Sequence, residues 1–340
     1  MPFAPDAYRA PWWLPGGHLQ TLFPYFFPRT FTLPYRRSRW ESADGDFVDL
    51  DWIDGSPERP LIALLHGLEG SSRSPYARDL MHAVRAIGWR GVVVHFRGCS
   101  EQPNRLPRAY HSGDTQEVDW ILRRLKQGQD PGAPLLAVGV SLGANALLKW
   151  LGTQAEAALP VLDAAAAVST PFDLAAAASA LDHGINRLLY TRHFLKTLVH
   201  KALTKIRTHA LALDAAALAR ARTFAEFDAH YTAPIHGFPS AAAYWQDASA
   251  KPWLLHVRVP TLLLNARNDP FLPEAALPAP CDVSSSIHLQ FPPTGGHAGF
   301  FGAGFAGGAS WLSRHVLRYF ARSLVGRDAV EAGQTGGLHL

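Results

Sequence analysis

The chain has 340 residues, of which 48% are hydrophobic and 18% charged, enough apolar material to bury a full core, which excludes disorder as the dominant state. Lysine and arginine number 32 against 28 aspartates and glutamates, so the small positive balance gives no nucleic-acid footprint. Two cysteines, Cys99 and Cys281, rule out a multi-disulfide scaffold and form no Cys-x-x-Cys zinc motif, which makes a reducing cytoplasm the expected setting.

In chain order, the first apolar stretch runs from Pro11 to Phe27 and is broken by Pro11, Pro15, Pro24 and Pro28. It fits neither a signal peptide nor a transmembrane helix, both of which need an unbroken apolar run. Arg36–Glu41 and Phe47–Trp52 flank Ala43-Asp44-Gly45, and the Asp-Gly pair predicts a hairpin that brings the chain into a sheet antiparallel. From there short apolar runs alternate with helical segments. The spacing predicts strands at Leu61–His66, Gly91–Phe96, Leu135–Val140, Ala165–Ser169, Thr261–Asn265 and Ile287–Phe291. Helices are expected over Pro75–Ile87, Asp114–Lys126, Leu142–Gln154 and Ala309–Leu324. Such alternation predicts an α/β fold. The strand runs lack polar alternation, as strands covered by helices on both faces of a mostly parallel central sheet should. The runs Ala164–Ala167 and Ala175–Ala178 are read as compositional bias.

Residues 171–251 interrupt the alternation with helical periodicity and no convincing strand, so a helical cap is expected there, inserted within a single domain spanning residues 1–340. Inside it Leu188, Leu195, Leu198, Val199, Ala202, Leu203 and Ile206 recur at helical spacing, with Arg192, Lys196, Lys201 and Lys205 largely on the other side. This basic amphipathic helix has two readings, a cap helix packing its apolar face on the body and a surface that touches anionic lipid or substrate. The polar, Gly-containing tail over 326–340 is expected to fray.

Gly139-Val140-Ser141-Leu142-Gly143 lies directly after one predicted strand and before one predicted helix. A G-x-S-x-G in that setting describes a sharp strand-to-helix turn with the serine exposed at its tip, where free amides favour developing negative charge. The other reading is an ordinary Gly-bracketed helix start with Ser141 as its cap. A serine nucleophile needs a histidine to take its proton and a carboxylate to hold that histidine's tautomer. The loop after Thr261–Asn265 supplies Asp269, and the loop after Ile287–Phe291 supplies His297 behind Gly295-Gly296; Asp282 and His288 are rivals in less suitable positions. Two backbone donors are also needed for the oxyanion. Leu142, following the nucleophile, and Leu68, in His66-Gly67-Leu68-Glu69-Gly70, are the candidates, with His66 orienting that loop. Cys99 reads as a small buried residue rather than a second nucleophile, and Asp114 as a helix cap. No motif for a metal, nucleotide or other cofactor is present, so a cofactor-free enzyme is expected.

With Gly17-His18-Leu19-Gln20-Thr21, His66 through Gly70, His95-Phe96-Arg97-Gly98-Cys99-Ser100, Pro103-Asn104-Arg105, Tyr110-His111-Ser112-Gly113-Asp114, the Ser141 turn, Asn265 through Pro273 and Gly295-Gly296-His297, the chain resembles the YheT-like group of α/β-hydrolases from Trp13 to Phe320. The resemblance implies the α/β-hydrolase fold, a Ser141, Asp269 and His297 triad and serine esterase chemistry on acyl esters; relatives in higher organisms act on lipid esters. One departure is Ala144, where the group commonly has a second Gly after the elbow, which bears on close helix-to-sheet packing. Gly17–Thr21 and the Arg97 loop receive no chemical role from the sequence. Expected partners are small-molecule or lipid esters with hydrophobic acyl chains and no nucleic acid, with membrane contact through the basic cap helix as the sharper of that helix's readings. Two other functions use the same fold: acyl transfer to an alcohol or thiol through the same residues, and hydrophobic-ligand or membrane binding without catalysis.

Overall fold

Eight strands form one sheet: β1 (Arg36–Glu41), β2 (Phe47–Ile53), β3 (Leu61–Leu65), β4 (Arg90–His95), β5 (Leu135–Val140), β6 (Ala164–Val168), β7 (Thr261–Leu264) and β8 (Ile287–Gln290). Their spatial order in the computed structural model, which describes residues 7–302 and 309–335, is β1-β2-β4-β3-β5-β6-β7-β8. The β1–β2 hairpin turns at Gly45 with φ +82°, the left-handed conformation its Asp-Gly sequence suits. It joins β4 antiparallel, and every later pairing is parallel. β3, β5 and β6 are buried along their whole length, which is why their sequences are continuous apolar runs.

One face of the sheet is covered by α3 (Thr115–Gln127) and α4 (Leu142–Gln154), the other by α2 (Pro75–Ala86) and the C-terminal helix Trp311–Thr335. The strand predicted at Ala165–Ser169 is β6, and the alanine run read as compositional bias has a structural use there. Its small side chains let α4 and the C-terminal helix both approach the centre of the sheet. That last helix passes Gly326 and continues to Thr335, so much of the expected polar tail has helical backbone; residues 336–340 lie outside the described residues.

The N-terminal stretch, whose prolines speak only against a signal peptide and a transmembrane span, contains α1 (Gly16–Phe26), with Pro24 inside it. Proline cannot donate to the carbonyl one turn back, here that of Gln20. Gly299 packs onto that carbonyl so closely that a Cβ would lie 2.1 Å from its oxygen. Between β6 and β7, where a cap is expected, the chain is helical: α5 (Leu174–Asp182), a π-helical turn at Arg187–Thr191, the long helix Arg192–Thr208 (the cap helix of the sequence reading), and shorter helices through Ala241–Ala248 to a 3-10 turn at Lys251–His256. Leu195, Ala202 and Ile206 bury the cap helix's apolar side. The expected basic side is only half correct. Lys205 is buried and donates to the carbonyls of Asn104 (3.3 Å) and Leu106, while Lys201 reaches inward to Glu69 at 2.9 Å. Leu188, expected on the apolar side, stands exposed because the π turn rotates it out of register.

Candidate active site

Ser141 sits where β5 turns into α4, with φ +54° and ψ −120°, a strained conformation held by its N–H bond to Val168 O at 2.9 Å. The glycines on either side are required by contact. A Cβ at Gly143 would lie 2.3 Å from Leu65 O, and one at Gly139 would lie 2.5 Å from the Cα of Ala144. Ala144 is fully buried in that gap, so close packing survives the departure at this position because residue 139 gives up its side chain.

The loops after β7 and β8 bring Asp269 and His297 to the serine. His297 Nδ1 lies 2.9 Å from Asp269 Oδ2 and 3.1 Å from Oδ1, and its Nε2 lies 2.9 Å from Ser141 Oγ. With a carboxylate accepting from Nδ1–H, Nε2 is left to accept the serine O–H. Asp269 Oδ1 also accepts from Phe271 N–H at 2.8 Å, and its side chain is 1% exposed. Phe271 stacks on the imidazole with ring centroids 3.9 Å apart, fixing its plane. The rivals lie elsewhere: Asp282 accepts from Ala279 N–H in a short turn, and His288 is within β8.

The Gly17–Thr21 segment, left without a role by the sequence, ties both loops together. Thr21 Oγ1 donates to Gly17 O at 2.7 Å and accepts from His297 N–H at 2.8 Å. Gln20 Oε1 accepts from Gly295 N–H at 2.8 Å and from Asn268 Nδ2 at 3.0 Å, and Asn268 Oδ1 accepts from Gly296 N–H at 3.0 Å. Gly296, with φ +63°, passes so near α1 that a Cβ would lie 2.7 Å from Gly17 O. Only the improbability of a GGHLQT string signalled any of this; its partners lie some 250 to 280 residues away.

Leu68 and Leu142 line the same cavity as Ser141, from two elements. Leu142 opens α4, where an N–H has no carbonyl one turn back to receive it. Leu68 lies in the loop after β3, in which Gly67 is close enough that a Cβ would lie 3.6 Å from Ser141 Oγ. His66 holds this loop from inside: one ring nitrogen contacts Gly67 O at 2.7 Å and the other accepts from Phe96 N–H at 3.2 Å. Tyr76 Oη accepts from Gly67 N–H and Tyr110 Oη from Glu69 N–H, each at 2.9 Å. Glu69 itself has φ +54° and pairs with Lys201, which links the cap helix to the loop. Cys99 lines the same cavity, and desolvation pushes its thiol up to about 12, the reverse of an activated nucleophile. Arg97 is buried against Glu117, Asp44 (2.7 Å) and Asp46 (3.1 Å), and Asp114 caps α3 by accepting from Glu117 N–H, which anchors the 97–100 loop where it lines the cavity. Among the described residues no group of three or more His, Cys, Asp or Glu is arranged to hold a metal ion.

Burial pushes His66 down to about 3, His111 to about 4 and His236 to about 3. In an unfolded chain each titrates near ~6.5, so between roughly pH 6.5 and 3 the unfolded state binds more protons. Stability that is fully present above that range is therefore lost as the pH falls through it. Urea denaturation is expected to show the unfolding free energy dropping steadily below about pH 6.5; a level value between about pH 7 and 5 would contradict neutral burial of these rings.

Above Ser141 lies a cavity of about 1050 Å³, walled by Leu22, Leu174, Leu181, Phe194, Phe224 and Phe271 among others. Its volume suits a ligand larger than a typical drug-sized molecule. α1 and the helices between β6 and β7 supply much of the apolar wall.

Residues 60–303 match the family model described as alpha/beta hydrolase fold. A protein of Escherichia coli (strain K12) named "Putative esterase YheT" is 40% identical over 88% of this chain and 88% of its own length. Phospholipase ABHD3 of Homo sapiens is 29% identical over 95% of this chain and 80% of its own. Among solved structures, the Pyrococcus furiosus esterase Pf2001 superposes with a TM-score of 0.55 at 13% identity, covering 94% of this chain and 96% of that one, a likeness of fold. No described helix is long and apolar enough to cross a membrane.

Proposed function

The chain belongs to the α/β-hydrolase family, and from that premise we propose that it is a serine carboxylic ester hydrolase acting on esters with hydrophobic acyl chains. The observation that carries this reading is the single imidazole of His297, 2.9 Å from Ser141 Oγ on one side and 2.9 Å from Asp269 on the other, beneath the apolar cavity. Ser141 Oγ bonds to the ester carbonyl carbon as its proton passes to His297 Nε2, and the carbonyl oxygen takes up the negative charge. The Leu68 and Leu142 amides receive that charge, aided by the N-terminal end of α4. Collapse breaks the bond to the alcohol, which leaves with the proton from Nε2. Water then adds to the acyl-serine, giving its proton to His297, and the acid departs as Ser141 regains its own. Asp269 stays a carboxylate throughout and stabilises the imidazolium formed in each half.

The helices of residues 171–251 act as a cap over the acyl chain, with Phe194 and Phe224 contributing wall. The names of the relatives, an esterase by designation and a phospholipase, support an ester as substrate. The test is covalent: a fluorophosphonate probe added to the folded protein should give an adduct that peptide mapping assigns to Ser141. Pre-incubation with a long-chain p-nitrophenyl ester should slow its formation. A folded protein that takes no label at Ser141 would overturn the reading. Transfer of the acyl group to added alcohol in preference to water would replace hydrolysis with acyl transfer.

A further inference from the structure

We propose that the rim of the cavity is a docking face for anionic lipid bilayers, built jointly by α1 and the π turn and cap helix. The inference rests on the proposed ester hydrolase reading only for its purpose, since a docked rim would open the cavity toward acyl chains; the surface itself stands on separate observations.

The first observation is where apolar area is left uncovered. Thirteen large apolar side chains are exposed among the described residues, and nine of them fall in two short segments: Trp12, Trp13, Leu19, Tyr25, Phe26 and Phe27 in one, Ile185, Leu188 and Leu189 in the other. Trp12 is 91% exposed, Leu188 69% and Phe26 65%. Such concentration marks an interaction surface, whereas scattered exposed residues mark nothing.

The second is that these segments meet. His18 Nδ1 lies 3.1 Å from Tyr190 Oη, the Tyr25 ring lies 5.9 Å from that of His193, and Leu22 packs in one cluster with Phe194. Tyr25, Phe26, Phe27, Leu189 and His193 all line the cavity above Ser141. Four of the nine exposed apolar residues, Tyr25, Phe26, Phe27 and Leu189, therefore edge the cavity itself, and the others continue the same two segments.

The third is charge, and it names the occupant. No Asp or Glu occurs from Ala7 to Trp40 or from His183 to Leu213. Within the second run Arg187, Arg192 and Lys196 are exposed; Arg187 acts on the carboxylate of Glu226, Arg192 and Lys196 form no ion pair among the described residues, and Lys201 and Lys205 are turned inward. Trp, Tyr and Phe beside Arg and Lys, in two runs that carry no acid of their own, is the composition of a face lying in a lipid headgroup layer. The same positive charge opposes pairing with a second copy of this face, as like charges repel.

Flotation of the full chain with vesicles tests this. Binding is expected to phosphatidylcholine vesicles containing phosphatidylglycerol, and to be about tenfold or more weaker with phosphatidylcholine alone or in high salt. A Trp12→Ser, Ile185→Ser, Leu188→Ser variant, at exposed residues outside the cavity lining, should lose binding, and Arg192→Gln with Lys196→Gln should weaken it by about tenfold or more. All five side chains are exposed, so these variants should keep the circular dichroism of the wild type and label at Ser141 at its rate with a small water-soluble probe. Failure of Ser141 labelling in the wild type would thus strike the hydrolase reading and leave this one standing. Absence of vesicle binding, binding indifferent to phosphatidylglycerol, or a concentration-dependent dimer that the triple variant abolishes would overturn the docking face.

Discussion

Asp269→Asn is expected to lower kcat on a carboxylic ester by about 10⁴-fold with little change in KM. The hydrogen bonds around Asp269 say why the effect should be large. Oδ1 is already committed to Phe271 N–H at 2.8 Å, so an asparagine in the same pose keeps its carbonyl oxygen there. Its amide group then occupies the Oδ2 position, 2.9 Å from His297 Nδ1, and points a donor at that nitrogen. The histidine is driven to the tautomer protonated on Nε2, which cannot accept a proton from Ser141. Ser141→Ala should cost more, on the order of 10⁶-fold, and a double variant should fall no further than the single one, since the residues act as a unit. The measurement is kcat and KM on a p-nitrophenyl ester beside the fluorophosphonate labelling rate of Asp269→Asn. An Asp269→Asn enzyme within about tenfold of wild type in both would remove Asp269 from the proposed mechanism.

Much of this molecule is legible in its sequence, for a reason visible in the sheet. β3, β5 and β6 are buried on both faces, so their runs are wholly apolar, and the turn after β5 must be glycine-bracketed because Leu65 O and the Cα of Ala144 leave no room for side chains. Those constraints are local and leave local marks. α1 is illegible because Pro24 contradicts helix propensity, and what stabilises the helix is contact with Gly299 and the Asn268 loop far along the chain. The cap helix misled in the same way. Periodicity set its apolar side, but Lys201 and Lys205 turn inward toward Glu69 and the carbonyls of the 104–106 loop, acceptors about 100 residues or more distant. Charge on a helix predicts solvent only where no distant acceptor competes for it.

The same long-range wiring sets the second large effect, expected at residues that touch neither substrate nor Ser141. Gly17→Ala should nearly abolish activity, because its Cβ would lie 1.9 Å from Asn268 O, a backbone atom in the turn just before Asp269. Either α1 or that turn must move, and a displacement of about 1 Å in the acid–base pair can cost about 10²-fold. Because Gly17→Ala also risks general destabilisation, Thr21 supplies the finer test. Thr21→Val removes the acceptor of His297 N–H and the donor to Gly17 O, whereas Thr21→Ser retains both. Thr21→Val should therefore lose kcat by about 10–10²-fold with KM nearly unchanged, and Thr21→Ser should restore most of it. Gln20→Leu should behave like Thr21→Val and also lose about 1–3 kcal/mol of stability for the stranded N–H of Gly295. A purely structural role would lower the melting temperature of Thr21→Val and leave the kcat of the folded fraction at the wild-type value, and that result would confine α1 to scaffolding. The expected loss of kcat at a preserved KM instead makes α1 a positioning element. It is covalently remote from Asp269 and His297, yet it fixes the distance between the two loops that carry them.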